Sequence, residues 1–405
     1  MDTPRIVELR VKGMRTLDDV TIRFGATGLT VMIGESGAGK STVIEALAIL
    51  SAMFRDRFSD YLANQHGGPS GLLRHGASGL TIGVTVERGT LGVTFDAEIV
   101  HQEPFLVLSN ETVREFGADA DFRREVVRRT PALVKYYTDG SNERRAEPPD
   151  DGSSTVAALS ARSLDPALVA LRLAFERIDV HFPFDVMPRW ARNGGGSPLR
   201  ATETVQRATR LERLGGNLAN CYFALHTEYG PEHWAETLEY VQLGLGTDVK
   251  DVVARPGTNG QISLALRLRD GDGVVPALAM SDGMLAYLAF VALVQMPTER
   301  SILAFDEPDL HLHPHLLSRV VDLLGRVGER CPVLLATHSD RLLDLLPDPV
   351  ASTVVFELDA DRKTRVLRPD PDRYRSWKRE FAGIGQLRDA GHLPTILEPD
   401  SGRVE

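Results

Sequence analysis

Alternation of apolar and polar residues opens the chain. Val7, Leu9 and Val11 alternate with charged neighbours, Val20, Ile22 and Phe24 repeat the period, and Leu29-Thr30-Val31-Met32-Ile33 is a nearly unbroken apolar run. A period of two predicts half-buried strands, whereas a continuous run predicts a strand covered on both faces. Thr42–Met53, dense in Ala, Leu and Ile directly after a glycine-rich turn, predicts a helix. Leu80–Glu87, Leu91–Val100 and Phe105–Leu108, set between Gly and Pro breaks, predict antiparallel strands beside the core. Residues 139–154, rich in Gly, Ser, Asn, Pro and Asp, read as an exposed loop. A second break, Asn193-Gly194-Gly195-Gly196-Ser197-Pro198, separates two stretches of helical pattern, 163–178 and 201–229, so the middle of the chain reads as a helical insertion. Strand signals return at Ile262–Leu268. The helix Asp282–Gln295, the strand Ser301–Phe305, a helix near Leu316–Gly325 and the strand Val333–Ala336 follow, an alternation that predicts a parallel sheet. The expected fold is α/β, with a mixed and parallel sheet, an antiparallel β subdomain and a helical insertion, divided as 1–110, 111–260 and 261–405.

Composition adds limits. With 42% hydrophobic and 25% charged residues over 405 positions, this is an ordinary folded protein, long enough for one large domain with an insertion or for two domains. The longest apolar stretch, Leu285–Met296, falls short of the roughly 20 residues that a membrane-spanning helix needs, so no membrane partner is expected. Met1-Asp2-Thr3-Pro4-Arg5 leads into alternating residues rather than a secretory leader, and Cys221 and Cys331 are too few for a disulfide framework; both point to the cytoplasm. The 46 Lys and Arg against 56 Asp and Glu leave a formal charge of -10. Such a balance excludes a surface that binds nucleic acid everywhere and leaves only a local one.

Four short segments carry chemistry. Gly34-Glu35-Ser36-Gly37-Ala38-Gly39-Lys40-Ser41, with Thr42 after it, is a G-x-x-x-x-G-K-S loop between an apolar strand and a helix. Its glycines let backbone N–H groups and the helix N-terminus face phosphate oxygens, so residues 34–42 are the expected ATP contacts. Lys40 is expected on the outer phosphates and the Ser41 hydroxyl on Mg2+. Ser301-Ile302-Leu303-Ala304-Phe305-Asp306-Glu307 is a buried strand ending in two carboxylates, which costs free energy unless the acids are used. Asp306 is expected in the magnesium shell and Glu307, projecting from the other face of the strand, as the group that activates water; capping the next helix is the plain alternative. In Ala279-Met280-Ser281-Asp282-Gly283, Ser281 or Asp282 can cap an apolar helix whose N-terminus attracts anions, as any capped helix does. Leu334-Leu335-Ala336-Thr337-His338-Ser339 ends a strand at a histidine able to donate to a γ-phosphate or to position water, or simply to serve the fold.

Two further clusters stay open. His311, His313 and His315 alternate as metal ligands can, or form part of a turn after the acidic strand. Arg189, Arg192, Arg200, Arg207, Arg210 and Arg213 make a basic stretch, with helical spacing of the last three, that fits either a DNA or partner surface or a solvated helix face; Trp190 is the only interleaved aromatic.

In their order along the chain, the four segments resemble the ABC ATPase superfamily in its RecF, SMC and OLD-like branch. The likeness is greatest to bacterial stand-alone predicted AAA-family ATPases with a Ser-Asp-Gly signature, whose acidic strand continues as Asp306-Glu307-Pro308 and then Leu312-His313-Pro314. That resemblance covers roughly residues 5–110 and 260–345 and implies an ABC ATPase (P-loop NTPase) core with ATP and Mg2+ as ligands. It further implies an ATP-dependent homodimer in which Ser281 and Gly283, with Asp282 between them, meet the γ-phosphate held by Lys40 of the other subunit, and it makes His338 the switch histidine. Ser36 in place of the usual Asn, and Met280 where Leu is common, remove no phosphate ligand. For the glutamine that joins magnesium to nucleotide in related proteins, Gln102 is the candidate. The segment after His338 lacks the acidic clusters of a Toprim nuclease, so none is expected. The implied role is a nucleotide-driven switch in DNA repair or maintenance, with DNA as ligand, or a regulatory ATPase that controls a separate effector protein in anti-phage defence.

Overall fold

The computed structural model describes residues 2–25, 27–54, 58–117, 121–138, 142–149, 153–188, 197–257, 259–269, 273–377, 380–381 and 383–399. Five parallel strands, in the order Ile178–His181, Ile302–Asp306, Pro332–Thr337, Gly28–Gly34 and Thr353–Leu358, make the centre of a seven-stranded sheet. Thr364–Pro369 and Leu397–Pro399 extend it antiparallel at one edge. Both faces are covered, which is why these strands read as apolar runs. Met32, Ile302, Ala304, Leu334 and Ala336 pack on one face with the helix Lys40–Ala52. Val31, Ile33, Leu303, Phe305, Val333 and Leu335 pack on the other with the helices Asp282–Gln295 and Pro314–Gly328.

An eight-stranded antiparallel sheet lies over the helix Lys40–Ala52. Its order is Leu17–Arg23, Arg5–Met14, Gly79–Arg88, Leu91–Gln102, Phe105–Phe116, Phe122–Arg129, Val134–Thr138 and Asn142–Ala146. Ile6, Leu9, Val84, Phe95 and Val113 of this sheet share one core with Val43, Leu47 and Leu50 of the helix. Burial of these alternating residues on one face is the physical content of the period-two pattern.

Residues 111–260 are mixed rather than mainly helical. The boundary at 110 falls inside the strand Phe105–Phe116, and three further strands carry the antiparallel sheet out to Ala146. In Phe122–Arg129 the arginines and two register shifts against the neighbouring strand hide the alternation around the buried Val126 and Val127. Residues 201–217, read as the start of a helix, hold only the short strand Glu203–Thr204 and irregular chain before the helix Leu218–Thr227. Side-chain amides explain this. Asn217 Nδ2 donates to Arg210 O (2.9 Å) while its Oδ1 accepts from Glu212 N (2.9 Å), and Asn220 Oδ1 accepts from Gln206 N (2.9 Å), satisfying backbone groups that a helix would otherwise pair. Arg207, Arg210 and Arg213 therefore share no helix face, and Arg189, Trp190 and Arg192 lie outside the described residues. Among the described residues, no helix is long and apolar enough to cross a membrane.

Candidate nucleotide-binding site

The glycine-rich loop joins the strand Gly28–Gly34 to the helix that starts at Lys40. Gly37 and Gly39 take φ of 80° and 101°, the left-handed region open to glycine. A Cβ on Gly39 would lie 2.7 Å from Leu17 Cδ2 and 2.9 Å from the Thr16 and Thr364 hydroxyls, so this end of the loop is pressed onto the hairpin and strand beneath it. Around Gly37 a Cβ would meet nothing within 4 Å, so the tip faces open space. Lys40 is buried, and its Nζ donates to Gly34 O (2.8 Å), Glu35 O (3.1 Å) and His338 Nε2 (3.2 Å). Burial lowers the Lys40 pKa, opposed by the charges of Glu307 and Asp306. Thr42 is buried in the first helical turn.

The two acids lie at the end of the strand Ile302–Asp306, separated from the strand Gly28–Gly34 by the strand Pro332–Thr337. Asp306 closes its strand and accepts a hydrogen bond from Ser41 Oγ at 3.1 Å, and burial raises its pKa. Glu307 does not simply alternate with it. Its φ of 50° is left-handed, an uncommon state for a non-glycine residue, and its N–H donates to Ala336 O at 2.7 Å. This sharp turn, rather than strand pleating, aims the two carboxylates. Burial, with Asp309 and Asp306 adding repulsion, pushes the Glu307 carboxyl up to about 7. His338 Nε2, the atom that accepts from Lys40, also lies 3.4 Å from Glu307 Oε1. Burial first, then Lys40 and Arg388, lowers the His338 pKa and favours the neutral ring. Thr337 Oγ1 donates to Asp309 Oδ1 (2.5 Å) and accepts from Ser339 N (2.9 Å), fixing the chain on either side of His338. The carboxyl ends of three adjacent parallel strands thus gather Lys40, Asp306, Glu307 and His338 in one place. The Ser41 and Asp306 oxygens are the hard donor type that Mg2+ takes.

Ser281 caps the helix Asp282–Gln295, its Oγ accepting from Met284 N at 3.3 Å, and is exposed. Gly283 lies under the turn that follows the acidic strand, where a Cβ would be 3.1 Å from His311 O. His313 caps the helix Pro314–Gly328 with Nδ1 accepting from His315 N, so two of the three alternating histidines serve a helix start. Among the described residues, no hydrogen bond or ion pair links Ser281, Asp282 or Gly283 to the glycine-rich loop of their own chain.

Known proteins are similar to this chain in parts of its sequence and in fold. A domain family described as "AAA domain, putative AbiEii toxin, Type IV TA system" matches residues 212–344, and one described as "AAA domain" matches residues 8–61. An Smc head bound to the C-winged helix domain of ScpA superposes with a TM-score of 0.52 at 17% identity, over 89% of this chain and 96% of that one. In these matched stretches and in fold, the chain resembles the RecF/SMC-like ABC branch of P-loop ATPases. Protein ea59 of Escherichia phage lambda is 32% identical to this chain over 96 residues, which are 23% of this chain and 18% of ea59. DNA repair protein RecN of Xylella fastidiosa is 34% identical over 93 residues, 23% of this chain and 13% of RecN. The matched stretches thus span less than a fifth of either relative's length.

Two residues near the site were not marked by the sequence. Arg388, on the helix Ile384–Asp389, donates to Asp340 Oδ1 (2.5 Å) two residues beyond His338, and its charge reaches Lys40 and His338. Arg200, grouped above with surface arginines, is buried against the Ser-Asp-Gly loop. No local pattern marks either one, because both act on segments far away in sequence. Gln102 ends its strand exposed at a hairpin, and among the described residues no hydrogen bond ties it to Ser41, Asp306 or Lys40.

Proposed function

We propose that this chain binds ATP with Mg2+ and hydrolyses it in the cytoplasm, closing as a homodimer around two ATP molecules in a switch that serves DNA repair or maintenance. The observation that carries the reading is the set of contacts Lys40–His338 (3.2 Å), His338–Glu307 (3.4 Å) and Ser41–Asp306 (3.1 Å) at the carboxyl ends of three adjacent strands. Lys40 rests on two loop carbonyls that phosphate oxygens can replace with stronger, charge-assisted bonds. Ser41 and Asp306 would hold Mg2+, which when bound supplies charge neutralisation at the phosphates. Glu307 orients water and takes its proton. His338 Nε2, shared between Lys40 and Glu307, becomes available to the γ-phosphate once Lys40 turns to ATP. Exposed Ser281, with Asp282 and Gly283, is offered to a second copy. Similarity to RecN supports the DNA assignment.

A second reading, a regulatory ATPase controlling a separate effector in anti-phage defence, is favoured by the toxin-antitoxin description of the family that matches residues 212–344. Light scattering of Glu307→Gln protein with ATP and magnesium, combined with DNA retention at low salt, separates the two. Nucleotide-dependent dimers that hold DNA are expected. Protein that stays monomeric in ATP would remove the switch, and dimers that never retain DNA would leave the effector reading standing.

A further inference from the structure

Arg200 is a buried cation in the span 111–260, and its hydrogen bonds among the described residues join two chain segments. Its Nε donates to Val186 O (2.7 Å), its Nη1 to Ala277 O (3.2 Å), Leu278 O (3.3 Å) and Met280 O (2.8 Å), and its Nη2 to Asp282 Oδ1 (2.5 Å). Only 6% of the residue is exposed. Burying a guanidinium is unfavourable unless each donor is used, and here a rigid planar fork spans four carbonyls and a carboxylate. The carbonyls of residues 277, 278 and 280 form the approach to Ser281, and Asp282 is the first residue of the helix that Ser281 caps. Val186 follows the strand Ile178–His181, which pairs with the acidic strand through Val180 opposite Ala304 and His181 opposite Phe305. One side chain therefore ties the Ser-Asp-Gly loop to the segment that follows the strand paired with the acidic strand. Leu199, the residue before it, packs in the main core and keeps the arginine from swinging away.

We propose that Arg200 is a positioning residue, holding Ser281, Asp282 and Gly283 in the arrangement with which they meet nucleotide bound to a second copy of the chain. This inference rests on the dimer reading above and assigns to the inserted span a part in the composite pocket. Among the described residues, no hydrogen bond or ion pair links Arg200 to the glycine-rich loop, so its loss leaves ATP capture by the single chain intact while loosening the face presented to the partner.

The test compares wild type, Arg200→Ala and Arg200→Lys for ATP binding under conditions that keep the chain monomeric, and for ATP-dependent dimerisation by light scattering. Arg200→Ala is expected to keep monomer ATP affinity within about twofold and to weaken dimerisation by about tenfold or more. Arg200→Lys keeps the charge and the buried stem but not the fork, and is expected to show the same dimer defect at a near-normal melting temperature. It decides the matter where Arg200→Ala fails to fold. Mixing Arg200→Ala with Lys40→Ala supplies a readout that general destabilisation would not move. One pocket of each mixed dimer combines an intact Lys40 with an intact Ser-Asp-Gly loop, so turnover should exceed the sum of the two variants alone. Absence of that recovery, or folded Arg200 variants that dimerise as tightly as wild type, would overturn the role of Arg200. Wild type that stays monomeric in ATP would instead sink the dimer reading beneath it.

Discussion

At the scale of single residues, Glu307 is the most informative position. A left-handed turn, burial and two neighbouring acids hold its carboxyl near neutrality, where a general base is both available and responsive. Glu307→Gln is expected to retain ATP binding and to slow hydrolysis by about a hundredfold or more, checked by single-turnover assays beside a nucleotide titration. As the proposed base, Glu307 would work in its deprotonated form. Because its pKa is raised to about 7, acidification through neutrality converts it to the inactive acid, so kcat/KM should fall towards about tenfold per pH unit on the acid side. A pH profile that is flat across neutrality, or one whose acid limb survives in Glu307→Gln, would remove Glu307 as base. Lys40, Asp306 and His338 were legible because each residue type is itself the chemistry and sits at a marked junction, Lys40 where the glycine-rich loop enters its helix and the other two where strands end. Arg200 was not, since an arginine that braces a loop through five hydrogen bonds is spelled like one in solvent.

At the scale of elements, the strands and helices of the core follow from periodicity, whereas the outer strands depend on polar contacts that no period reveals. Glu111 shows how. Fully buried on the strand Phe105–Phe116, it accepts from Arg129 Nη1 (3.1 Å), Thr155 N (2.7 Å) and the Ser154 hydroxyl, joining two sheet strands to the start of the helix Thr155–Ser160. Glu111→Ala would strand the buried Arg129 guanidinium and is expected to lower stability by about 3–5 kcal/mol, measured by denaturant unfolding. A loss below about 1 kcal/mol would mean that the pair is dispensable. The same dependence explains why residues 122–146 escaped recognition as strands. Their arginines and glutamates are matched across strands, as in Arg124 with Glu115 (2.8 Å), and such pairing has no signature along the sequence.

At the scale of the whole molecule, no hydrogen bond or ion pair among the described residues joins the exposed Ser281 cap to the glycine-rich loop, and the proposed switch joins them between two chains. Lys40→Ala should therefore remove nucleotide affinity and ATP-dependent dimers together, with titration and light scattering reporting the same loss; dimers that still form with ATP would break the link between triphosphate capture and association. The sequence by itself determined the apolar strands, the glycine-rich loop, the acid pair and the terminal histidine, because period and residue chemistry act locally. Only tertiary structure decided that three strands distant in sequence end side by side, that Glu307 turns left-handed to face His338, and that Arg200 is buried beneath the Ser-Asp-Gly loop. Those outcomes depend on which segments exclude water from one another, a property of the packed chain that no single stretch of it contains.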